Sequence, residues 1–236
     1  MNLIKKIYFK FEKIFIRRPL KTKFFYKYFP GIFLWAKFSQ TKNKNTTDYW
    51  NKTHAQEDEQ QETNRFENLV LSFLDRLDFV GKDVLDVGCG RGIFLSQIKN
   101  AHSLNGVDIS DAAVKIAASK GINALQRELP DLNLNQTFDI ITCFETLEHT
   151  SRWRESIVQM VKLLRESGYL VISVPNEDSI LINEHVAYFD VLRLYKFVQK
   201  YLTVLEIKNL GPWLLLVAQK KKNTHHERPD YFFKSL

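Results

Sequence analysis

Acidic and imidazole side chains cluster in one short segment of this chain. Residues 145–149 read E-T-L-E-H, and a second histidine, His185, follows downstream. If the segment is helical, Glu145, Glu148 and His149 are spaced i, i+3 and i+4 and share one face. Such a set can bind Mg²⁺ or Mn²⁺ through Glu145, Glu148, His149 and His185. Alternatively, His149 or His185 acts as a general base, since imidazole titrates near neutral pH.

A more modest interpretation of the same segment needs no metal. Glu145 then shapes a ligand pocket, while Glu148 and His149 form a hydrogen-bonded pair at the start of a helix. The residue types fit both interpretations, and the sequence alone leaves them open.

A glycine-rich turn stands upstream of this segment. Residues 86–92 read D-V-G-C-G-R-G, after a short apolar strand at 82–85 and before a helix that begins at Ile93. Strand, glycine turn and helix form the cofactor corner of doubly wound α/β folds. A dinucleotide fingerprint that starts at Gly88 needs Gly or Ala at position 93, where this chain has Ile. The turn therefore indicates a cofactor other than a dinucleotide.

An acid follows the turn at the spacing that ribose binding requires. A predicted strand over 103–109 contains Asp108, about 20 residues past the turn, where an acid accepts the ribose hydroxyls in such folds. A carboxylate accepts two hydroxyl donors at once. Ser110 is the expected N-cap of a helix over 111–119, and Gly121 follows its end.

These motifs together resemble class I S-adenosylmethionine-dependent methyltransferases. The resemblance covers about residues 65–219 and rests on D-x-G-x-G-x-G, Asp108, the block 138–149 and the S-V-P-N run at 173–176. It implies S-adenosylmethionine as cofactor. Glu128, after the third strand, matches the position of an acid that meets the adenine amino group. The cofactor-binding residues that the resemblance implies are Asp86, Gly88, Cys89, Gly90, Gly92, Asp108, Ile109, Glu128 and Phe144.

The E-x-x-E-H block narrows the resemblance. It is similar to the metal site of Hen-type small-RNA 2′-O-methyltransferases, and also to a block in ubiquinone-pathway O-methyltransferases. Both groups methylate oxygen, so the resemblance implies a hydroxyl acceptor.

The remaining pattern predicts an α/β fold with a Rossmann-like doubly wound sheet. The sheet is expected to be mostly parallel, with an antiparallel C-terminal hairpin strand, because two strands flank the short Gly211-Pro212 connection. Predicted strands lie near 124–126, 138–143, 168–174, 204–208 and 213–219. Apolar spacing predicts helices over 65–77, after strand four, and near 192–201.

Four regions are predicted along the chain. They are a basic aromatic helical arm (1–40), a polar linker or lid (41–64), the methyltransferase domain (65–219) and a polar tail (220–236). Within the linker, Tyr49 and Trp50 either belong to a lid over the cofactor or anchor the linker locally.

The charge is unevenly distributed. The arm holds ten Lys or Arg and one acid, so of the net charge of +7 the arm carries +9 and the remainder −2. In its first helix Lys6, Lys10, Lys13 and Arg17 lie on one face, with apolar residues on another. This arm can bind an anionic membrane surface, or it can pack on the core or form a dimer contact.

The cysteine content and the hydropathy pattern indicate the cellular compartment of the protein. The chain has two cysteines, both in predicted core motifs, which favours reduced thiols. No segment reaches the length of a membrane span, and charges interrupt every apolar run near the start. We expect a cytoplasmic protein, peripheral on the inner face of the membrane if the arm binds lipid.

The expected activity is transfer of a methyl group to a hydroxyl of a small-molecule, glycan or lipid-linked acceptor. Alternatives are a non-catalytic S-adenosylmethionine-binding scaffold and an RNA 2′-O-methyltransferase. A nucleic-acid partner is disfavoured because the core is not basic. The sequence does not fix the oligomeric state.

Overall fold

A computed structural model describes residues 44–56, 77–176, 185–210 and 213–221. The chain divides into two compact units between Asn43 and Lys44, and every described residue belongs to the second unit. The predicted arm, nearly all of the predicted helix over 65–77 and most of the polar tail lie outside the described residues.

A seven-stranded sheet forms the centre of the fold. The strands are β1 (Asp83–Val87), β2 (Ser103–Asp108), β3 (Asn123–Gln126), β4 (Phe138–Phe144), β5 (Leu164–Pro175), β6 (Thr203–Leu210) and β7 (Trp213–Gln219), in the spatial order β3-β2-β1-β4-β5-β7-β6. The first five are parallel, whereas β7 runs antiparallel to both β5 and β6. The predicted doubly wound sheet with its antiparallel hairpin is confirmed.

Five described α-helices accompany the sheet. They are α1 (Thr47–Gln56), α2 (Ile93–Gln97), α3 (Asp111–Ser119), α4 (Trp153–Leu163) and α5 (Val191–Val198). The predicted N-cap of α3 is correct, since Ser110 Oγ accepts a hydrogen bond from Ala113 N at 3.1 Å. Asp190 caps α5 in the same way, through the backbone N–H of Arg193 at 2.7 Å.

Helix α1 lies within the predicted polar linker or lid over 41–64, where the sequence pattern predicted no helix. Thr46 Oγ1 accepts from Tyr49 N and starts the helix. None of its residues is fully buried. A short polar helix of this kind is held by tertiary contacts rather than by an apolar stripe, so hydrophobic periodicity could not reveal it.

The hydrophobic core lies in two clusters. Successive strand residues alternate between them: Ile141 and Cys143 of β4 belong to one, Ile140 and Phe144 to the other. β1 is buried at all five positions, as expected for a strand between two parallel neighbours.

A polar network occupies the amino ends of the strands. Arg165 bridges Asp83 and Asp139 at 2.6 and 2.7 Å. The hydrogen bond from Ser103, assisted by Arg165, lowers the pKa of Asp83 against the opposing effect of burial. Within the described part of the chain, no helix is long and apolar enough to cross a membrane.

Candidate active site

The glycine-rich turn joins β1 to α2 at the carboxyl edge of the sheet. Gly88, Gly90 and Gly92 have φ of 79°, 51° and 74°. These are left-handed conformations that glycine adopts without steric cost. A Cβ on Gly88 would also overlap the side chain of Thr146, in the loop after β4. The absence of a side chain therefore lets the turn pack directly against the E-x-x-E-H block.

Asp108 ties the turn to the end of β2. Its Oδ2 accepts a hydrogen bond from Gly90 N at 2.9 Å, and its Oδ1 accepts from Ser110 N at 2.8 Å. Each carboxylate oxygen retains a second lone pair, so the group can accept ligand hydroxyls while it holds the turn.

Asp86 is buried near the end of β1, with 3% of its surface exposed. Thr142 Oγ1 donates a hydrogen bond of 2.7 Å to its Oδ1. Burial raises the pKa of Asp86 to about 7; the Thr142 hydrogen bond opposes the shift and the charge of Asp108 adds to it. The group thus changes charge close to physiological pH.

Four further residues were predicted to bind the cofactor. Cys89 is buried and packs against Gly106. A Cβ on that glycine would lie only 2.6 Å from Cys89 Sγ. Phe144 is buried edge-on to Phe94, with ring centroids 5.0 Å apart. Ile109, at the end of β2, is partly buried, and Glu128, after β3, is exposed.

The E-T-L-E-H segment, residues 145–149, does not form an α-helix. Glu145 has φ of 45°, and the helical residues after it are a single 3-10 turn, Leu147–His149. Ser173 Oγ donates a hydrogen bond of 2.9 Å to Glu145 Oε1, and the backbone N–H of Glu145 donates to Ser173 O. The shared helical face expected for Glu145, Glu148 and His149 is therefore wrong.

Three of the four proposed metal ligands nevertheless converge. Donor atoms of Glu148, His149 and His185 all lie within 4.8 Å of one another, and Glu145 is not part of this group. His149 Nε2 is 3.7 Å from Glu148 Oε1. The rings of His149 and His185 are 5.3 Å apart at 76°. Glu148 and His185 are almost fully buried.

Backbone pairing brings His185 into this group. Glu148 O accepts hydrogen bonds from the N–H groups of Val186 and Ala187, at 2.8 and 3.0 Å. The segment after β5 is thereby fixed beside the 3-10 turn, although 36 positions separate His149 from His185 in the chain.

Helix α1 contributes two residues to the same region. The Trp50 ring lies 4.9 Å from the His149 ring, at 72°. Asn51 Oδ1 accepts hydrogen bonds from Ser110 Oγ at 2.8 Å and from Ala112 N at 3.2 Å. Sequence reasoning named Trp50 as a lid or anchor residue but overlooked Asn51, since an isolated polar residue in a polar segment carries no signal.

The assembled site has two parts. The glycine turn, Asp86 and Asp108 form the first; Glu148, His149 and His185 form the second. Both parts lie at the carboxyl ends of parallel strands, which open onto the ligand crevice in such sheets. The arrangement therefore suits a cofactor that reacts with a group held near an imidazole.

Comparison with known proteins defines the class. A family model described as "Methyltransferase domain" matches residues 57–227. The chain belongs to this family. Its class is the class I S-adenosylmethionine-dependent methyltransferases, as the motifs predicted.

Curated relatives include several O-methyltransferases. The chain is 27% identical over 161 residues to the mitochondrial ubiquinone biosynthesis O-methyltransferase of Schizosaccharomyces pombe, covering 61% of this chain and 58% of the relative. It is 31% identical over 186 residues to that of Candida albicans, covering 70% and 52%. A malonyl-[acyl-carrier protein] O-methyltransferase of Calditerrivibrio nitroreducens is 26% identical over 154 residues, covering 65% and 58%. The chain thus spans between half and three fifths of these relatives.

Solved structures share the fold. The N-methyltransferase NodS of Bradyrhizobium japonicum, in complex with S-adenosyl-L-homocysteine, has a TM-score of 0.61 at 19% identity, over 76% of this chain and 100% of that one. The [4+2]-cyclase SpnF has a TM-score of 0.55 at 16% identity, over 70% and 83%. A cyclase among the neighbours shows that fold alone does not fix the reaction.

Proposed function

We propose that this protein transfers a methyl group from S-adenosylmethionine to a hydroxyl of a small-molecule, glycan or lipid-linked acceptor. The observation that carries the proposal is the convergence of Glu148, His149 and His185 within 4.8 Å. Glu148 and His149 follow β4, shortly after Thr146, which packs on the glycine turn. A methyl donor held at the turn is then adjacent to groups that accept a proton.

The donor is held by residues of the carboxyl edge. Asp108 binds the ribose hydroxyls with its remaining lone pairs, and the backbone of the glycine turn approaches the amino-acid part of the cofactor. Glu128, exposed after β3, meets the adenine. The proposal assigns cofactor binding to Asp86, Gly88, Cys89, Gly90, Gly92, Asp108, Ile109, Glu128 and Phe144.

The reaction needs a proton acceptor. When bound, S-adenosylmethionine would supply the methyl group: the acceptor oxygen would form the new bond to the methyl carbon as the carbon–sulfur bond breaks, and the thioether would leave. The hydroxyl proton passes to an imidazole nitrogen of His149 or His185. Glu148, 3.7 Å from His149 Nε2, stabilises the imidazolium that results. Alignment of the two reactants supplies much of the remaining rate enhancement.

A divalent metal is the second candidate for the same group. One carboxylate and two imidazoles fit Mn²⁺ better than Mg²⁺, which prefers oxygen ligands. Glu148, His149 and His185 would hold the ion. When bound, it would lower the pKa of the acceptor hydroxyl. Glu145 is the weakest of the four proposed ligands, because Ser173 already engages its carboxylate.

The histidines can be tested against a matched control. His149→Asn and His185→Asn are expected to reduce methyl transfer about 10²-fold or more while S-adenosylmethionine affinity stays within about threefold. The control is His102→Asn, because this histidine is 73% exposed at the amino end of β2. Candidate acceptors are catechol-type phenols, glycans and lipid-linked hydroxyl compounds.

The outcomes separate the alternatives. Binding of S-adenosylmethionine without transfer to any acceptor would favour the non-catalytic scaffold, and transfer to the 2′-hydroxyl of RNA would favour the RNA enzyme. Activity that falls in chelator and returns with Mn²⁺ supports the metal version. Full activity in chelator leaves the histidine-base version.

We also propose that the basic arm brings the enzyme to the cytoplasmic face of a membrane. Each basic residue near an anionic surface contributes about 1 kcal/mol. Replacing Lys6, Lys10, Lys13 and Arg17 with Gln in the full chain should strongly reduce sedimentation with phosphatidylglycerol vesicles. Unchanged sedimentation would favour a packing or dimer role for the arm.

A further inference from the structure

The solvent-facing side of α5 carries a concentration of apolar side chains. Among the described residues, six large hydrophobic side chains are well exposed, and four of them lie within residues 191–201. They are Val191, Leu192, Tyr195 and Tyr201. Single exposed apolar residues are ordinary on a protein surface, whereas a group of four on one short segment indicates a contact surface.

Helix geometry brings three of these residues together. The inner face of α5 carries Leu194 and Val198, which are fully buried in the core. Val191 and Leu192 lie four and three positions before Tyr195, so these side chains are neighbours on the helix surface. The helix therefore has a second apolar surface, which faces solvent.

Basic residues continue the same exposed surface. Lys196 is exposed four positions after Leu192, and Lys200 is exposed just beyond the end of the helix. Residues 191–205 hold three Lys or Arg and no Asp or Glu. The exposed surface of α5 is thus apolar towards its start and positively charged towards its end.

Flanking acids do not cancel this charge. Residues 190–208 contain four Lys or Arg against two acids, so two positive charges remain in excess. The carboxylate of Asp190 caps α5 through the backbone N–H of Arg193. Glu206 pairs with Lys208 at 2.6 Å. The excess positive charge therefore lies next to the apolar surface.

This composition favours a lipid surface over a protein partner. Lysine is depleted at protein–protein interfaces. At an anionic membrane it is favourable, because its ammonium group is attracted to the lipid head groups. Tyrosine is enriched at membrane–water interfaces, where its ring lies in an apolar environment and its hydroxyl remains in water. Aliphatic side chains of an interfacial helix insert at the boundary with the acyl chains.

We propose that the exposed surface of α5 binds an anionic lipid bilayer, with Leu192 and Tyr195 inserted below the head groups and Lys196 and Lys200 among them. The surface belongs to the methyltransferase domain and is separate from the basic arm. Binding requires neither the methyl donor nor an acceptor, so the proposal does not rest on the reaction proposed above.

The experiment uses a full-length arm variant, in which Gln replaces Lys6, Lys10, Lys13 and Arg17, so that charge on the arm contributes little. Sedimentation at about 0.15 M salt measures its partition coefficient on two kinds of vesicle. One kind is a mixture of phosphatidylglycerol and phosphatidylcholine, and the other is phosphatidylcholine alone. We expect binding to the mixed vesicles to be at least about tenfold stronger.

Two pairs of substitutions in the arm variant test the named residues. Leu192→Gln/Tyr195→Gln should weaken binding to the mixed vesicles at least about tenfold, because these apolar atoms no longer leave water. Lys196→Gln/Lys200→Gln should remove most of the preference for phosphatidylglycerol, because the head groups lose their cationic partners.

Matched variants in the same background serve as controls. Val80, before β1, and Leu125, in β3, are 63% and 38% exposed, close to the 58% and 38% of the two apolar α5 residues. Val80→Gln/Leu125→Gln should bind the mixed vesicles within about twofold of the arm variant, because exposed apolar residues are not in themselves a membrane site. Lys99→Gln/Lys115→Gln should do the same, because salt screens charges that lie far from the bound membrane.

Unchanged S-adenosylmethionine affinity shows that each variant is folded. The proposal is overturned if the arm variant does not bind mixed vesicles, or binds both kinds equally. It is also overturned if Leu192→Gln/Tyr195→Gln has no effect, or if Val80→Gln/Leu125→Gln causes an equal loss. A dimer that dissociates in Leu192→Gln/Tyr195→Gln while vesicle binding persists would instead assign the surface to a second copy of the chain.

Discussion

The ring of Trp50 meets the ring of His149 edge to face, with centroids 4.9 Å apart. Asn51, the next residue of α1, accepts hydrogen bonds from Ser110 and Ala112 at the start of α3. One turn of a polar helix therefore connects the start of α3 to the group formed by Glu148, His149 and His185. The position of His149 depends on a helix almost one hundred residues earlier in the chain.

Removing the Asn51 amide should loosen this connection. Asn51→Ala loses two hydrogen bonds, worth about 1–3 kcal/mol together. We expect weaker S-adenosylmethionine binding and a higher KM for the acceptor. Lys52→Ala, on the exposed face of the same helix, should change neither. Equal behaviour of the two variants in calorimetry and steady-state kinetics would contradict the connecting role.

Gly88→Ala should disrupt the site for two separable reasons. Gly88 and Gly121 have φ of 79° and 82°, so alanine costs about 1 kcal/mol at either position. At Gly88 the new Cβ also overlaps Thr146, whereas at Gly121 it meets nothing within 4 Å. Gly88→Ala is therefore expected to cost at least about 2 kcal/mol more than Gly121→Ala in chemical denaturation. Equal losses would show that Thr146 moves aside freely.

Asp86 should make stability depend on pH. Its pKa is raised from 3.8 to about 7 by burial, so the folded state retains a proton that the unfolded state releases. Stability from this group is complete below about pH 4 and is lost as pH rises towards 7, by roughly 4 kcal/mol. Asp86→Asn keeps an acceptor for Thr142 and cannot ionise.

The measurement is the free energy of unfolding of parent and Asp86→Asn, without cofactor, at pH 5 and pH 8. The variant should gain relative to the parent as pH rises. The opposite contribution of Asp83, whose lowered pKa costs stability in acid, is common to both proteins and cancels. A difference independent of pH would show that Asp86 titrates normally.

Replacing the carboxylate of Asp108, even by an amide, should weaken S-adenosylmethionine binding. Both of its oxygens accept backbone N–H groups, from Gly90 and Ser110, so Asp108→Asn would turn a donor NH₂ towards one of these donors. We expect Asp108→Asn and Asp108→Ala to lose about 1–3 kcal/mol of S-adenosylmethionine affinity. Asp111→Asn, which breaks only an exposed pair with Lys115, is the control. Parent-like affinity in Asp108→Asn would remove Asp108 from the cofactor site.

Local patterns carried most of the fold. The glycine turn, the Ser110 cap and the hairpin around 211–212 each require a particular backbone conformation, and a few residues are enough to predict each of them. Helix α1 was not predicted because its stabilising contacts, such as that of Asn51 with Ser110, are tertiary. Polar composition hides a helix of this kind.

The candidate site was predicted as a set of residues, and its geometry was not. The i, i+3, i+4 spacing treated residues 145–149 as one helix, but the left-handed backbone at Glu145 separates that residue from Glu148 and His149. The approach of His185 depends on hydrogen bonds from Val186 and Ala187 to Glu148 O. Residue types can suggest such a cluster, while long-range backbone pairing decides which members meet.

The position of β7 has a consequence for how the protein is made. β7 is the last of the seven strands in chain order, yet it lies between β5 and β6 in the sheet. During synthesis the part of the sheet from β1 to β5 can form first. The edge of β5 that pairs with β7 stays open until β7 leaves the ribosome. In the complete sheet, residues 170–174 are buried and pair with residues 214–218 of that strand. A nascent chain stalled before Trp213 would present an apolar strand edge, and chaperones recognise surfaces of this kind.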